Sequence, residues 1–205
     1  MLTIEEGEAL VKAARAAIQS QLSSVNSAPP PKLSAGLKEQ RGVFVTLLDH
    51  SRGNSLRGCI GIPFPTGPLI DQVMVAAVSA ATGDPRFEPI DLDELNNRIS
   101  LEATVLSSME PIWVKNPLDL RDNIVVGRHG LMVQGMGSQS LLLPQVAVDE
   151  GFDSEELLSQ CCLKADLPPD AWLTGSVRVS RFEGQVFAEE KPSGRVFERR
   201  LDRGP

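Results

Sequence analysis

The sequence predicts an α+β fold of mainly antiparallel sheet with flanking helices. Three observations carry that reading: apolar runs paired across short turns, helical stripes that open on capping boxes, and a hydrophobic share of 41% beside 23% charged residues. The 205 residues can bury a sizeable core in one substantial domain or two small lobes without disulfide staples.

Thr3 and Glu6 form a capping box, and Leu10, Ala14, Ile18 and Leu22 fall on one face of the helix that follows. From Ser23 the chain turns polar and reaches Pro29-Pro30-Pro31, a run without backbone donors that reads as an extended surface loop. Gly42 to Leu48 is β-branched and apolar, and Leu56 to Ile62 follows after a turn-rich stretch, so the two read as a hairpin that Pro63-Phe64-Pro65 ends. Leu69 to Ala81 is apolar on almost every face, the pattern of a helix covered on both sides. Gly83 to Phe87 breaks it, Asp91 and Glu94 cap a short helical turn, and Ile99, Leu101, Ala103 and Val105 alternate as one face of a strand closed by Pro111.

Asn116-Pro117 supplies an N-cap and first helical position for a short helix to about Arg121. Two strands are expected around Gly127-Arg128-His129-Gly130, and Leu141-Leu142-Leu143-Pro144 reads as a buried strand. Asp153 and Glu156 form a second capping box, ahead of a stripe of Leu157, Leu158, Cys161, Cys162 and Ala165. Val177 to Phe182 and Gln185 to Ala188 read as a final hairpin about Glu183-Gly184. The domain is expected over residues 1–190, with 191–205 a charged tail outside the packed core.

Composition removes several function classes. A net charge of -7 opposes a broad phosphate-backbone footprint, and aromatics at 4% with no Tyr offer little to stack on bases, so no nucleic acid is expected as a partner. The most apolar segment is shorter than the roughly 20 residues a bilayer demands, so no membrane anchor is expected either. Three cysteines, two of them adjacent, make no disulfide framework, and no signal-peptide apolar region precedes them; a reducing, cytoplasmic setting follows. With two histidines and no zinc-type spacing, no metal site is expected, and without a P-loop or dinucleotide fingerprint no nucleotide cofactor is expected.

The most informative segment is Leu56-Arg57-Gly58-Cys59-Ile60-Gly61. It sets a guanidinium two positions from a thiol, and its glycines mark a strand end, a bulge or a turn where backbone or ligand approaches closely. With Asp84-Pro85-Arg86-Phe87, Gly127 to Leu131, Leu141 to Val146, Cys162 to Ala165 and Gly184 to Phe187, it resembles, in order and spacing, an AMMECR-family domain of the archaeal or bacterial type. That resemblance implies an α+β fold of two unequal lobes with a cleft between them and the signature segment near the cleft. It also implies company with Memo-like and radical SAM proteins, an association that carries no chemistry by itself. Archaeal relatives usually carry an aromatic residue and a glycine before the Leu-Leu-Leu-Pro-Gln run, where this chain reads Gly137-Ser138-Gln139-Ser140.

Two readings of the site follow. In the first, the cleft binds a small anionic or peptide-like ligand: Arg57, Arg86 and Arg128 with Asp84 recognise it, and amides from Gly58 to Gly61 form an oxyanion hole. Cys59 is then the candidate nucleophile, favoured as thiolate by nearby guanidinium groups, and His129 the candidate base. In the second, the protein is a non-catalytic interaction module, with Cys59 packed as a small hydrophobe, Asp84 ion-paired to an arginine, and His129 at an exposed hairpin tip. Of Cys161 and Cys162, neighbours on a helix, one is expected to be buried, and Lys164 to complement the helix dipole.

Overall fold

The structure is a computed structural model that describes residues 1–23 and 34–201; the expected connection at Pro29-Pro30-Pro31 lies outside them. The chain divides into two compact units, Met1–Leu106 with Gln185–Arg199, and Ser107–Gly184 with Arg200–Pro205.

The first unit opens with helix α1 (Ile4–Ser23). Its capping box forms as expected: Glu6 N–H donates to Thr3 Oγ1 at 3.3 Å and Thr3 N–H to Glu6 Oε2 at 2.9 Å. Leu10, Ala14 and Ile18 are fully buried. After the short helix α2 (Ala35–Lys38), strands β1 (Val43–Asp49) and β2 (Ser55–Ile62) form the expected antiparallel hairpin. A 3-10 turn over His50–Arg52 joins them. Leu47 faces Gly58 but Leu48 faces Leu56, so Arg57 is the extra residue of a β-bulge.

Helix α3 (Leu69–Thr82) buries Leu69, Val73, Ala76, Ala77 and Ala80 against this sheet and α1. Val75 on its other side is 56% exposed, so the helix is covered on one side only. The alanines that make it read as apolar all round are there to permit close packing on one face. After α4 (Leu92–Asn97), strand β3 (Ile99–Leu106) lies beside β1 with Thr46 opposite Glu102. Alternation fails on β3 because both faces are covered: Ser100, Glu102 and Thr104 are as buried as the apolar residues between them. The charge of Glu102 is met by Arg199 Nη1 at 3.1 Å.

A buried ion pair ties the two chain segments of this unit. Arg15 Nε donates to Glu189 Oε1 at 2.7 Å, its two Nη groups reach the carbonyls of Leu95 and Ile99, and Leu101 N–H donates to Glu189 Oε2. Each side-chain nitrogen and oxygen of the pair has a partner, the condition under which buried charge is tolerated.

In the second unit, β4 (Glu110–Pro111) pairs with β7 (Val177–Glu189), and β5 (His129–Gly135) lies between β7 and β6 (Ser138–Leu142). Helices α5 (Pro144–Asp149) and α6 (Ser154–Lys164) and a 3-10 turn over Pro117–Asn123 complete it. Its core gathers Leu131, Val133, Leu157, Leu158, Ala171 and Val179. The second capping box forms, Asp153 Oδ1 accepting Glu156 N–H at 2.8 Å and Glu156 Oε2 accepting Asp153 N–H at 2.9 Å.

Several local readings are corrected here. The expected final hairpin is one continuous strand, β7: Glu183 C=O and N–H are taken by Ser107 N–H and Oγ, both at 2.8 Å, which holds the Glu183-Gly184 pair extended. Val196–Arg199 forms strand β8, paired with the last residues of β7, so these residues join the sheet rather than a tail. Pro111 lies within β4 rather than after a strand. Among the described residues no strand runs directly into Gly127; the hairpin tip is at Met136-Gly137, and His129 opens β5 with 6% exposure. Pro144 opens a helix, and Cys161 and Cys162 are both fully buried, because Cys161 faces the sheet while Cys162 packs toward Ala165 and Trp172 in the same core. Lys164 Nζ donates to Leu141 C=O at 2.9 Å, so it bonds a strand beside its role at the helix end.

Candidate functional site

The signature segment lies on β2, the outer strand of its unit's sheet among the described strands. Its glycines are required by close approach. A Cβ at Gly58 would sit 2.3 Å from the carbonyl oxygen of Ala80 at the end of α3, and one at Gly61 would overlap the Phe44 ring at 2.2 Å. The backbone of β2 therefore seats directly on α3 and on an aromatic face, which no side chain would permit.

This seating brings the loop after α3 against β2. Asp84, with its carboxylate buried, accepts Cys59 N–H at 2.8 Å, Arg86 N–H at 3.1 Å, and Arg86 Nε and Nη2 at 2.9 and 2.7 Å. Arg86 Nη2 also reaches the Cys59 carbonyl at 3.2 Å. The Asp84–Arg86 pair thus gives Cys59 the acceptor and donor that a neighbouring strand would otherwise supply at an open edge. Hydrogen bonding to Arg86 holds the Asp84 carboxyl well below the usual carboxylate range, against the opposing effect of burial. The same contact raises Arg86.

Arg57, the bulge residue, closes its fork on Glu94, with Nε–Oε1 at 2.7 Å and Nη2–Oε2 at 3.2 Å. The guanidinium groups of Arg57 and Arg86 lie 5.9 and 5.4 Å from the Phe87 ring centroid, within cation–π range. Across the strands, Cys59, Thr46 and Glu102 occupy one register row and therefore one face of the sheet, and Thr46 Oγ1 donates to Cys59 Sγ at 3.4 Å. Cys59 as a residue is partly exposed.

Arg57, Gly58, Cys59, Gly61, Asp84 and Arg86 are thus gathered in the first unit. Arg128 and His129 belong to the second unit and have partners there. Arg128 Nε pairs with Glu183 Oε1 at 2.7 Å on the surface. His129 Nδ1 accepts Val125 N–H at 3.0 Å, which sets the neutral tautomer with its proton on Nε2; burial, then Arg181 and Arg128, lower its pKa. Among the described residues no group of three or more His, Cys, Asp or Glu is arranged to hold a metal ion, and no helix is long and apolar enough to cross a membrane.

Sequence reasoning gave Phe87, Glu94, Thr46 and Glu102 no part in the site and read Glu94 only as a helix cap. An aromatic next to the arginine in Asp-Pro-Arg-Phe is a usable signal for the first; the other three are joined to the site only by folding.

Fold and site together define an α+β protein whose Arg-Gly-Cys strand is clamped by an Asp-Pro-Arg-Phe loop. The same fold occurs in a crystal structure of an uncharacterized Pyrococcus horikoshii protein, with a TM-score of 0.90 and 41% identity over 96% of this chain and 97% of that one. The sequence profile of the AMMECR1 family matches residues 11–187, and the chain belongs to that family. It is 46% identical to a Methanopyrus kandleri protein over 98% of this chain and 96% of its relative, and 50% identical to one from Methanosarcina barkeri over 97% of each.

Proposed function

We propose that the corner where Cys59 meets the Asp84–Phe87 loop binds a small anionic ligand, a carboxylate or a phosphate, and presents Cys59 to it as a nucleophile. One observation carries this reading: the Arg86 side chain is 53% exposed while both oxygens of a buried Asp84 fix its guanidinium at the Cys59 backbone. A cation held rigidly beside a partly exposed cysteine and still open to solvent can orient an incoming anion at little further entropic cost. Arg57, locked by Glu94 and stacked at Phe87, positions that loop, and the Thr46 hydroxyl assists a thiolate. Acyl or group transfer through Cys59 is the chemistry these groups suit, and three free cysteines support a reducing compartment such as the cytoplasm.

A second reading is favoured by a different observation. Strand β2, an outer strand among the described ones, carries Leu56 and is followed by Phe64, 42% and 52% exposed, which suits addition of a partner's strand, as an interaction module would use.

Charge-selective alkylation separates the two. If the anion site exists, the folded protein favours iodoacetate over iodoacetamide at Cys59 relative to the unfolded chain, and excess phosphate or acetate slows the reaction. Arg86→Gln removes both effects. Alkylation of Cys59 with no charge preference, or only after unfolding, would overturn the anion site and favour the module.

A further inference from the structure

The second unit holds a cavity of about 640 Å³ that the proposed function does not use, within the size range of small-molecule sites. It forms where the chain leaves β4: Ile112 N–H donates to Val179 C=O at 2.9 Å, extending the ladder, and Trp113 and Val114 then continue along the start of β7. Ile112, Val114, Leu120 and Trp172 supply apolar wall, and Trp113 stands at the site with 79% exposure. The Trp172 indole N–H is already bonded to Ser159 Oγ at 3.3 Å, so that ring offers an apolar surface. The Trp113 indole has no hydrogen-bond partner among the described residues.

One charged residue lines this cavity, and it is a cation. Arg178 is exposed on β7 and makes no ion pair, side-chain hydrogen bond or ring contact among the described residues, unlike Arg121, Arg128 and Arg181 of the same unit, which each face a carboxylate. No Asp or Glu lines the cavity to repel an anion. An exposed tryptophan and an unpaired arginine, at a hollow whose wall is apolar at Ile112, Val114 and Leu120 and polar at Gln134 and Ser176, are complementary to an apolar or aromatic body ending in a carboxylate.

We propose that this cavity binds small apolar carboxylates, with Arg178 receiving the carboxylate and the two indoles the apolar body. The chemistry has two sources, a free aryl or branched aliphatic acid and the C-terminal residue of a peptide, and the test distinguishes them.

The chain contains two tryptophans and no tyrosine, and both tryptophans line the cavity, so the intrinsic indole emission of the whole protein reports on this site. The full-length protein is titrated with 3-phenylpropionate, with its uncharged analogue 3-phenylpropanol, and with a tripeptide ending in Phe beside its C-terminal amide. The expected result is a saturable emission change with 3-phenylpropionate or the free-acid peptide, with the alcohol and the amide weaker by about tenfold or more, the loss anticipated for one charge-assisted pair. Arg178→Gln, at a surface position without partners, should weaken the carboxylates by a similar factor and leave the alcohol unchanged. A peptide binding more tightly than the free acid identifies a chain terminus as the source; the reverse order identifies a free acid. No saturable change with either carboxylate, equal binding of the uncharged analogues, or insensitivity to Arg178→Gln overturns the proposal. The residues tested lie outside the Cys59 site, so either reading can fail alone.

Discussion

Replacing Asp84 with Asn tests whether the Asp-Pro-Arg-Phe loop is a clamp. The amide has the shape of the carboxylate but only one acceptor, so two of the four donors that converge on Asp84 lose their partner in either orientation. If the orphan is the Cys59 N–H, its desolvation costs about 1–3 kcal/mol. The lost attraction to Arg86 adds only about 0–1 kcal/mol because that side chain is half exposed and water compensates it. The expected destabilisation is about 1–4 kcal/mol, read as a lower urea midpoint at unchanged slope. Arg86→Gln and the double variant complete a cycle in which the two effects are clearly non-additive. The pH dependence provides a second readout. Because Asp84 is depressed in the folded protein, its contribution is complete above the unfolded value of about 3.9 and is lost as pH falls from there through the folded value. The Asp84→Asn variant should lack that part of the acid sensitivity. A change within about 0.5 kcal/mol, the size of an ordinary surface substitution, with an unaltered acid limb would refute the clamp.

Three further outcomes follow from the same geometry. Glu189→Gln leaves Arg15 buried without its countercharge and should cost about 3–5 kcal/mol by thermal or urea unfolding, whereas Arg15→Met with Glu189→Leu should recover most of it. Gly58→Ala forces a methyl toward the Ala80 carbonyl and should destabilise by about 1–3 kcal/mol, with altered hydrogen exchange along β2 as the check. Burial pushes the Cys161 thiol up to about 11, so mass spectrometry after brief alkylation near neutral pH should find it unmodified until urea is added. Since its folded value lies above the ordinary thiol value of about 8.5, stability should also decline as pH rises from there toward the folded value.

What the sequence made legible was local or periodic. Helices α1 and α6 declare themselves through capping boxes three residues wide and stripes that repeat each turn, and both boxes close as read. The β1–β2 hairpin was equally legible, because alternation acts within a few residues, whereas the glycines left a strand end, a bulge or a turn open and the bulge falls at Arg57. Where the reading failed, a distant partner overrode a local preference. Glu183-Gly184 has turn chemistry, yet Ser107 holds it straight, and Val196–Arg199 has the charge of a tail, yet it pairs with β7. At the site, sequence could nominate Arg57, Cys59, Asp84 and Arg86 and offer an Asp84–arginine pair, which forms with Arg86, but not the longer contacts, since Asp84 meets a backbone amide 25 residues away and Arg57 meets Glu94 at a separation of 37. Trp113 and Arg178 carry no motif at all; only the fold sets them around one hollow.

The order of the chain through the two units has a consequence for how the protein is made. Residues 107–184 interrupt the first unit, so Arg15 is separated by 174 residues from the carboxylate of Glu189 that neutralises it. At about 5–20 residues per second, the ribosome delivers that partner roughly 10–35 s later. Through that interval the nascent first unit holds α1 and β3 without the strands that complete it, and β4 and β5 of the inserted unit likewise wait for the first residues of β7. Birth order therefore makes the arrival of β7 and β8, rather than the formation of α1, the event that commits the older unit to its native state.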